Sequence, residues 1–518
     1  MNSVNALVSA ITNTEKINLW FVQLGFAFLL VLVADCLFFE RKSGASVTFF
    51  LLILALTSFL ITLMRGRHSF SMASLLILPA ALLPGLETLN FLTAAIGLSG
   101  VTGFVLFINY SQQMPNIDWL KTLTRFFGYL PFKFCVDIFW LTTALRRLKP
   151  HATKLAIIKN WFLPVLLTLG FLVLFAFANP LISGWLARID ITLLLALLSF
   201  DRIVFWLFFL VVCWPYLRVR LKVYTAGTVT HFIEPRPTIV SPKTPKFSEA
   251  QTSWALLLFN ILFGVQTYLD MVYLWGGGSL PDGVTYSQYV HQGTYILLIT
   301  TLFAAMFILF VTSRKMGMES SRHIKLLLLL WTGQNIILVI STMMRMGLYV
   351  EAFALTYLRL AAIIWMVLVM MGLALIIVRL LRQYTNSWLI KANLLTLGLI
   401  LYAVSLANLP YLISNYNVSI AINSPGKRID FNYLASLGKY ALPAIDKVLE
   451  NPDWGDRMVN LDNYRYSRIP LSELRNRYAE EGKTAQNDWR QWSFRRERLV
   501  EYINGNDEII LPFTTNND

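Results

Sequence analysis

Apolar runs of about twenty residues, broken by short polar and basic stretches, recur along most of the chain. A run of that length, wound at about 1.5 Å per residue, matches the roughly 30 Å hydrocarbon layer of a bilayer. The pattern predicts an all-α polytopic membrane bundle of about eleven transmembrane helices, near 18–39, 45–64, 69–85, 88–109, 160–178, 195–217, 252–275, 289–313, 325–346, 357–380 and 388–410. The stretch 178–199 carries Asn179, Pro180, Gly184, Arg188 and Asp190. It reads as a re-entrant or interfacial segment, or as a further crossing that would invert every later side.

Two stretches break the pattern. Residues 117–149 alternate aromatics such as Trp119, Phe126 and Phe132 with bases such as Lys121, Arg125 and Lys133. That mixture suits interfacial helices lying against anionic headgroups. Residues 414–518 have balanced charge and many turn formers, enough for a small α+β C-terminal domain beside a 1–413 transmembrane domain. Within it, 417–423 alternates like a strand, 430–449 reads helical, and 486–504 reads as a basic, Trp-containing helix. Asn417-Val418-Ser419 also matches a glycosylation acceptor, a match that is frequent by chance.

Composition fixes the class independently, since 56% apolar residues, 14% charged residues and a mean hydropathy of +0.58 are incompatible with a soluble globule. The formal net charge of +15 lies mostly in loops. Arg65 and Arg67, the stretches 121–159, 218–246 and 314–325, and Arg379 to Arg382 fall on one side if eleven spans alternate. By the positive-inside rule the amino terminus is inside and the C-terminal domain is extracytoplasmic. The charge therefore orients the chain, and no nucleic-acid partner is expected; membrane lipids are. Cys36, Cys135 and Cys213 show no ligand spacing, so neither a disulfide framework nor a metal centre follows. The first apolar run reads as a retained signal anchor.

Absent motifs narrow the chemistry. There is no Walker loop, HExxH, GxSxG or dinucleotide fingerprint, so ATP-driven pumping and familiar hydrolysis lose support and no cofactor is expected. The outer loop at 40–44 is too short to resemble that of a polytopic lipid-linked glycosyltransferase.

The candidate site is a polar cluster at one end of neighbouring apolar segments: Asp270, Asp282, His291, Arg345, Tyr349, Glu351 and Arg359. An ionisable group at the bilayer centre costs roughly 2.5 to 3.5 kcal/mol on insertion scales, so such groups pair, line water or work. Gly276 to Gly278 and Pro281-Asp282-Gly283 make a tight turn that holds the cluster near the helix ends. Gln266 with Asp270, His291 with Tyr295, and Arg345 with Tyr349 each share a helix face at i and i+4. His291 is the one candidate catalytic group, able to shuttle protons. Asp270 or Glu351 suits a base or ion ligand, and Arg345 and Arg359 suit an anion. The bland alternative is that Asp270 and Arg345 neutralise one another. Asp35, the Asp201-Arg202 pair, and Gln334, Asn335 and Ser341 read more simply as structural or helix-packing groups.

Residues 280–295 (LPDGVTYSQYVHQGTY), with 345–349 (RMGLY) and 355–359 (LTYLR), resemble a bacterial family known as domain of unknown function 4173. The resemblance implies a cytoplasmic-membrane protein of a bacterium and supplies no activity. The residues themselves suggest an outward-facing pocket for an envelope lipid or small anionic ligand, or a partner envelope protein. The alternatives are a proton-coupled solute transporter, an acyl or headgroup transferase using His291, and a structural membrane subunit.

Overall fold

A computed structural model of the 518-residue chain describes residues 2–66, 72–110, 119–146, 199–219, 249–275, 322–424, 428–460, 468–484 and 488–506, with 164, 167, 168 and 303. The helices are α1 (Asn2–Phe38), α2 (Ala45–Met64), α3 (Met72–Glu87), α4 (Phe91–Tyr110), α5 (Trp119–Arg146), α6 (Phe200–Leu217), α7 (Glu249–Asp270), α8 (Arg322–Phe353), α9 (Tyr357–Arg382), α10 (Asn386–Leu406), α11 (Leu409–Asn423), α12 (Phe431–Ser436), α13 (Leu442–Leu449), α14 (Leu471–Thr484) and α15 (Phe494–Gly505). Strands β1 (Met458–Asn460) and β2 (Arg468–Pro470) pair antiparallel, with Val459 opposite Ile469.

Among the described residues, eight helices are long and apolar enough to cross a membrane, and each coincides with an expected crossing. The expected third crossing is α3, a 16-residue helix holding Pro79 and Pro84. Apart from residues 164, 167, 168 and 303, the segments 160–178 and 289–313 lie outside the described residues, as does the ambiguous 178–199 up to Ser199. The aromatic-basic stretch forms one helix, α5, which buries Lys133 and Asp137 and exposes Phe132 and Phe139.

The chain divides into two compact units. Unit 1 is Met1–Phe232 with Gln486–Phe494, and unit 2 is Ile233–Ala485 with Arg495–Asp518. In unit 1, Leu30, Leu54, Val105 and Trp214 form part of a continuous apolar core. Small residues set its closest helix approach: a Cβ on Gly100 of α4 would lie 2.0 Å from the Ala81 Cβ of α3. The late residues 488–494 close on the α1–α2 turn, where the Ala45 N–H donates to the Trp492 carbonyl at 3.0 Å. Gly44 has no side chain to obstruct this, since a Cβ there would meet the Gln491 backbone at 2.6 Å.

In unit 2, α7 to α10 pack around Leu328, Trp331, Val339, Met366 and Leu373. The Thr356 hydroxyl caps α9 by accepting from the Arg359 N–H, and the Thr385 hydroxyl caps α10 by accepting from the Trp388 N–H. The C-terminal helices and the hairpin then close over Ile413, Val418, Ile445, Val448, Leu471 and Leu474. They dock on the α8–α9 turn through Asn417, whose amide accepts from the Leu355 N–H at 2.7 Å and donates to the Leu355 carbonyl at 2.9 Å.

Three local expectations are corrected. Residues 417–423 belong to helix α11, because the Asn408 cap and Pro410 start a helix whose buried positions, Ile413, Ser414, Val418 and Ala421, follow a helical spacing. The helical stretch 430–449 is broken at Gly438, which takes φ 76, and passes through a 3₁₀ turn. In 486–504 the helix starts only at Phe494, after a 3₁₀ turn at Trp489–Gln491 that the Asp488 carboxylate caps.

Candidate functional site

Helix α7 carries Gln266 and Asp270 one turn apart at its C-terminal end, and the Gln266 amide donates to Asp270 Oδ1 at 3.0 Å. A five-residue π-helical turn, Met271–Trp275, follows at once. Facing it, α8 presents Arg345, whose Nη2 donates to Asp270 Oδ1 in an ion pair between two membrane-length helices. Only 1% of the Asp270 side chain and 3% of the Arg345 side chain are exposed. The attraction is therefore little screened, and loss of either charge would take from the other its ion-pair partner in a low-dielectric interior.

Arg359 has a different environment. Its Nη1 donates to the Phe353 carbonyl at 2.5 Å and also to the Ala354 carbonyl, and its guanidinium lies 4.4 Å from the centre of the Tyr349 ring. Arg359 thus caps the C-terminal end of α8, where orphan carbonyls and the helix dipole favour a cation. Glu351 is exposed on the last turn of α8. The structure brings the half-buried Gln266 together with buried Asp270 and Arg345 in one group, and half-buried Tyr349 with half-buried Arg359 in a second. Asp282 and His291 lie outside the described residues.

Other charged groups found partners that the sequence did not reveal. Arg202 pairs with Asp35 rather than with its neighbour Asp201: its Nε donates to Asp35 Oδ1 at 2.7 Å, and the Trp206 indole donates to the same oxygen at 2.9 Å. In α5, Asp137 accepts from Lys133 at 2.9 Å and from the Trp214 indole at 3.0 Å, with Arg218 3.4 Å away. A shallow, open cleft lined by Phe126, Tyr129, Lys133 and Arg218 among others lies beside that group. In the C-terminal domain, Asp446 accepts from Arg475 Nε at 2.9 Å and from the Tyr502 hydroxyl at 3.0 Å. Burial pushes that hydroxyl well above the ordinary tyrosine value, and the adjacent Asp446 carboxylate adds to the shift. The i, i+4 spacing of Lys133 and Asp137 was the only one of these signals legible along the chain.

The model of the family described as "Domain of unknown function (DUF4153)" matches residues 7–448. This corrects the resemblance to family 4173. The runs that carried it are short combinations of turn formers, aromatics and charges, common at membrane interfaces and too few to separate one membrane family from another. No curated protein and no solved structure matches the chain.

Proposed function

Because the chain belongs to the DUF4153 family, whose description leaves activity open, we propose a role from its own chemistry: Arg345 receives a small anionic ligand or an envelope-lipid headgroup, exchanging Asp270 as counter-ion. The setting is a multi-pass protein of a bacterial cytoplasmic membrane, with about eleven crossings and α5 in the inner interface. The amino terminus lies inside and the 414–518 domain outside. Eight membrane-length helices and the basic loops support this reading. So does the docking of the C-terminal helices on the α8–α9 turn, at the end of α8 nearer Arg345.

The observation that carries the proposal is the buried Asp270–Arg345 pair. Two apolar helices need no charges to pack, and well-packed apolar replacements of a buried ion pair are often neutral or stabilising. A guanidinium keeps its charge in any setting and offers a planar fork matched to carboxylate and phosphate oxygens. An arriving anion takes over that fork, and Asp270 falls back on the Gln266 amide.

Native mass spectrometry of protein released gently from its membrane tests the reading. Wild type should carry a specific anionic adduct, Arg345→Gln should lose it, and Asp270→Asn should retain it. An unchanged adduct on folded Arg345→Gln would sink the proposal.

A further inference from the structure

The seam between α7 and α8 contains more polarity than the ion pair needs. Asn260 donates both ways from its amide nitrogen, to the Leu256 carbonyl at 2.7 Å and across the seam to the Leu327 carbonyl at 3.1 Å. Gln334 Nε2 crosses back to the Asn260 carbonyl at 3.1 Å, and Asn335 Nδ2 donates to the Trp331 carbonyl at 2.8 Å. All three amide nitrogens are thus committed to main-chain acceptors, which fixes the amide orientations. The three amide oxygens are left facing the interior, and among the described residues no donor reaches Asn260 Oδ1, Gln334 Oε1 or Asn335 Oδ1.

The Ser341 hydroxyl is in the same state, buried and without a hydrogen-bond partner among the described residues. Its neighbours show the usual alternative: Thr332, Thr342 and Thr267 each donate to the carbonyl one turn back, at 2.6, 2.7 and 2.8 Å. Asn335 is 0% exposed, Ser341 1% and Asn260 7%. At about 100° per residue, Gln334, Ser341 and Arg345 fall in one stripe about 40° wide, and Gln334 lies about 16 Å along α8 from Arg345. The stripe runs from the Asn260–Gln334 crossing to the Asp270–Arg345 pair.

We infer that the α7–α8 seam holds a file of bound water, seated on Asn260 Oδ1, Gln334 Oε1 and Ser341 Oγ and leading to Asp270. The amide oxygens only accept, and the Ser341 hydroxyl can accept as well as donate, so the occupant must donate. A metal cation would have to exchange its hydration shell for neutral oxygens, with Asp270 about 15 Å farther along α7. Water supplies two donors at no charge cost and is the usual occupant of buried sites lined by acceptors. The consequence rests on the proposed exchange at Arg345. A proton passed along the file from hydronium to the Asp270 carboxylate yields the neutral acid and water, and Arg345 is released to pair with the anion. One proton and one anion enter together, and the seam stays electrically neutral.

The test is radiolytic hydroxyl-radical labelling of the full chain in lipid nanodiscs, with H₂¹⁸O mixed in before exposure. Trp331 and Met346 are buried, so bulk radicals do not reach them, and label there reports internal water. Wild type should label at both, and Gln334→Leu with Ser341→Ala should reduce that label severalfold. Unlabelled Trp331 and Met346 in wild type would overturn the water file without reference to any variant. Label unchanged in the folded double variant would overturn its seating on these oxygens. The native-mass adduct is read separately, so the file can fail while anion binding stands, and the reverse.

Discussion

Removing one member of the Asp270–Arg345 pair should cost more than removing both. The two side chains are 1% and 3% exposed, so bulk water does not screen a charge left behind. Stranding a buried charge costs about 3 to 5 kcal/mol, whereas replacing both partners with apolar groups of similar volume is often neutral or better. The two single losses should also differ. Arg345→Met leaves a carboxylate that keeps the Gln266 hydrogen bond, worth about 1 kcal/mol, and that a proton can neutralise. Asp270→Leu leaves a guanidinium that no proton loss can neutralise. The expected order of stability is wild type and the Asp270→Leu, Arg345→Met double variant together, then Arg345→Met, then Asp270→Leu. Unfolding in mixed micelles by sodium dodecyl sulfate titration, followed by tryptophan fluorescence, gives the four free energies of the cycle. A double variant that loses the sum of the two singles would refute the reasoning. So would an Asp270→Leu protein within about 1 kcal/mol of wild type.

The remaining predictions concern packing and the C-terminal helices. Gly100→Ala drives a Cβ to 2.0 Å from Ala81 and should destabilise unit 1 by about 1 to 3 kcal/mol, read in the same titration, with Gly103→Ala, where nothing lies within 4 Å, as the harmless control. Gly44→Ala meets the Gln491 backbone and should expose the Ala45 amide, which donates to Trp492, to fast hydrogen exchange. The Asp488 carboxyl is held below its ordinary 3.8, chiefly by the Arg490 backbone N–H, so its contribution is full above that value and lost as the pH falls through the lowered one. Protection of the Ala45 amide, corrected for intrinsic exchange, should therefore hold at pH 5 and weaken only in stronger acid. Tyr502→Phe removes a donor from the buried Asp446 carboxylate and should lower C-terminal stability by about 1.5 to 3 kcal/mol, measured by thermal unfolding.

The spanning helices were legible because their signal is local. Runs of twenty or more predominantly apolar residues, as at 45–64 or 357–380, state their structure without reference to anything distant. The start of α9 was equally local, with Thr356 accepting from the Arg359 N–H three residues on. The short alternation at 417–423 misled because a seven-residue window cannot outweigh a helix already begun at Asn408 and Pro410. What tied Asn417 down was Leu355, 62 positions away. Arg202 found its partner 167 positions away in Asp35, although an aspartate stood beside it, because adjacent side chains on a helix diverge by about 100°. The Asp270–Arg345 pair was legible only as a possibility of charge balance, since pattern shows which ends carry polarity and never which side chains meet. The open acceptors of Asn260, Gln334 and Asn335 were invisible, because nothing in the sequence says where an amide spends its nitrogen.

Among the described residues, the two ion pairs between membrane-length helices answer different needs, and the difference explains why only one reads as a site. Asp35 lies three residues from the end of α1 and Arg202 in the first turn of α6, so each charge opposes the dipole of its own helix. Neither position helps its helix; each is sensible only in company with the other, and together they fix how α1 and α6 meet. That pair is also closed. Both Asp35 oxygens accept from Arg202, the Trp206 indole takes Oδ1 as well, and the Phe39 and Trp206 rings lie 4.9 and 5.8 Å from the guanidinium carbon. An anion approaching Arg202 would have to move aromatic rings before it met a charge. Asp270 also ends its helix against the dipole, but its arginine stands at the head of a seam containing open acceptors rather than rings. A pair meant only to hold α7 against α8 would gain nothing from oxygens that pack poorly and bond to nothing apolar. The placement of Gln334 and Ser341 on the stripe that reaches Arg345 makes sense if the charge there has to change hands.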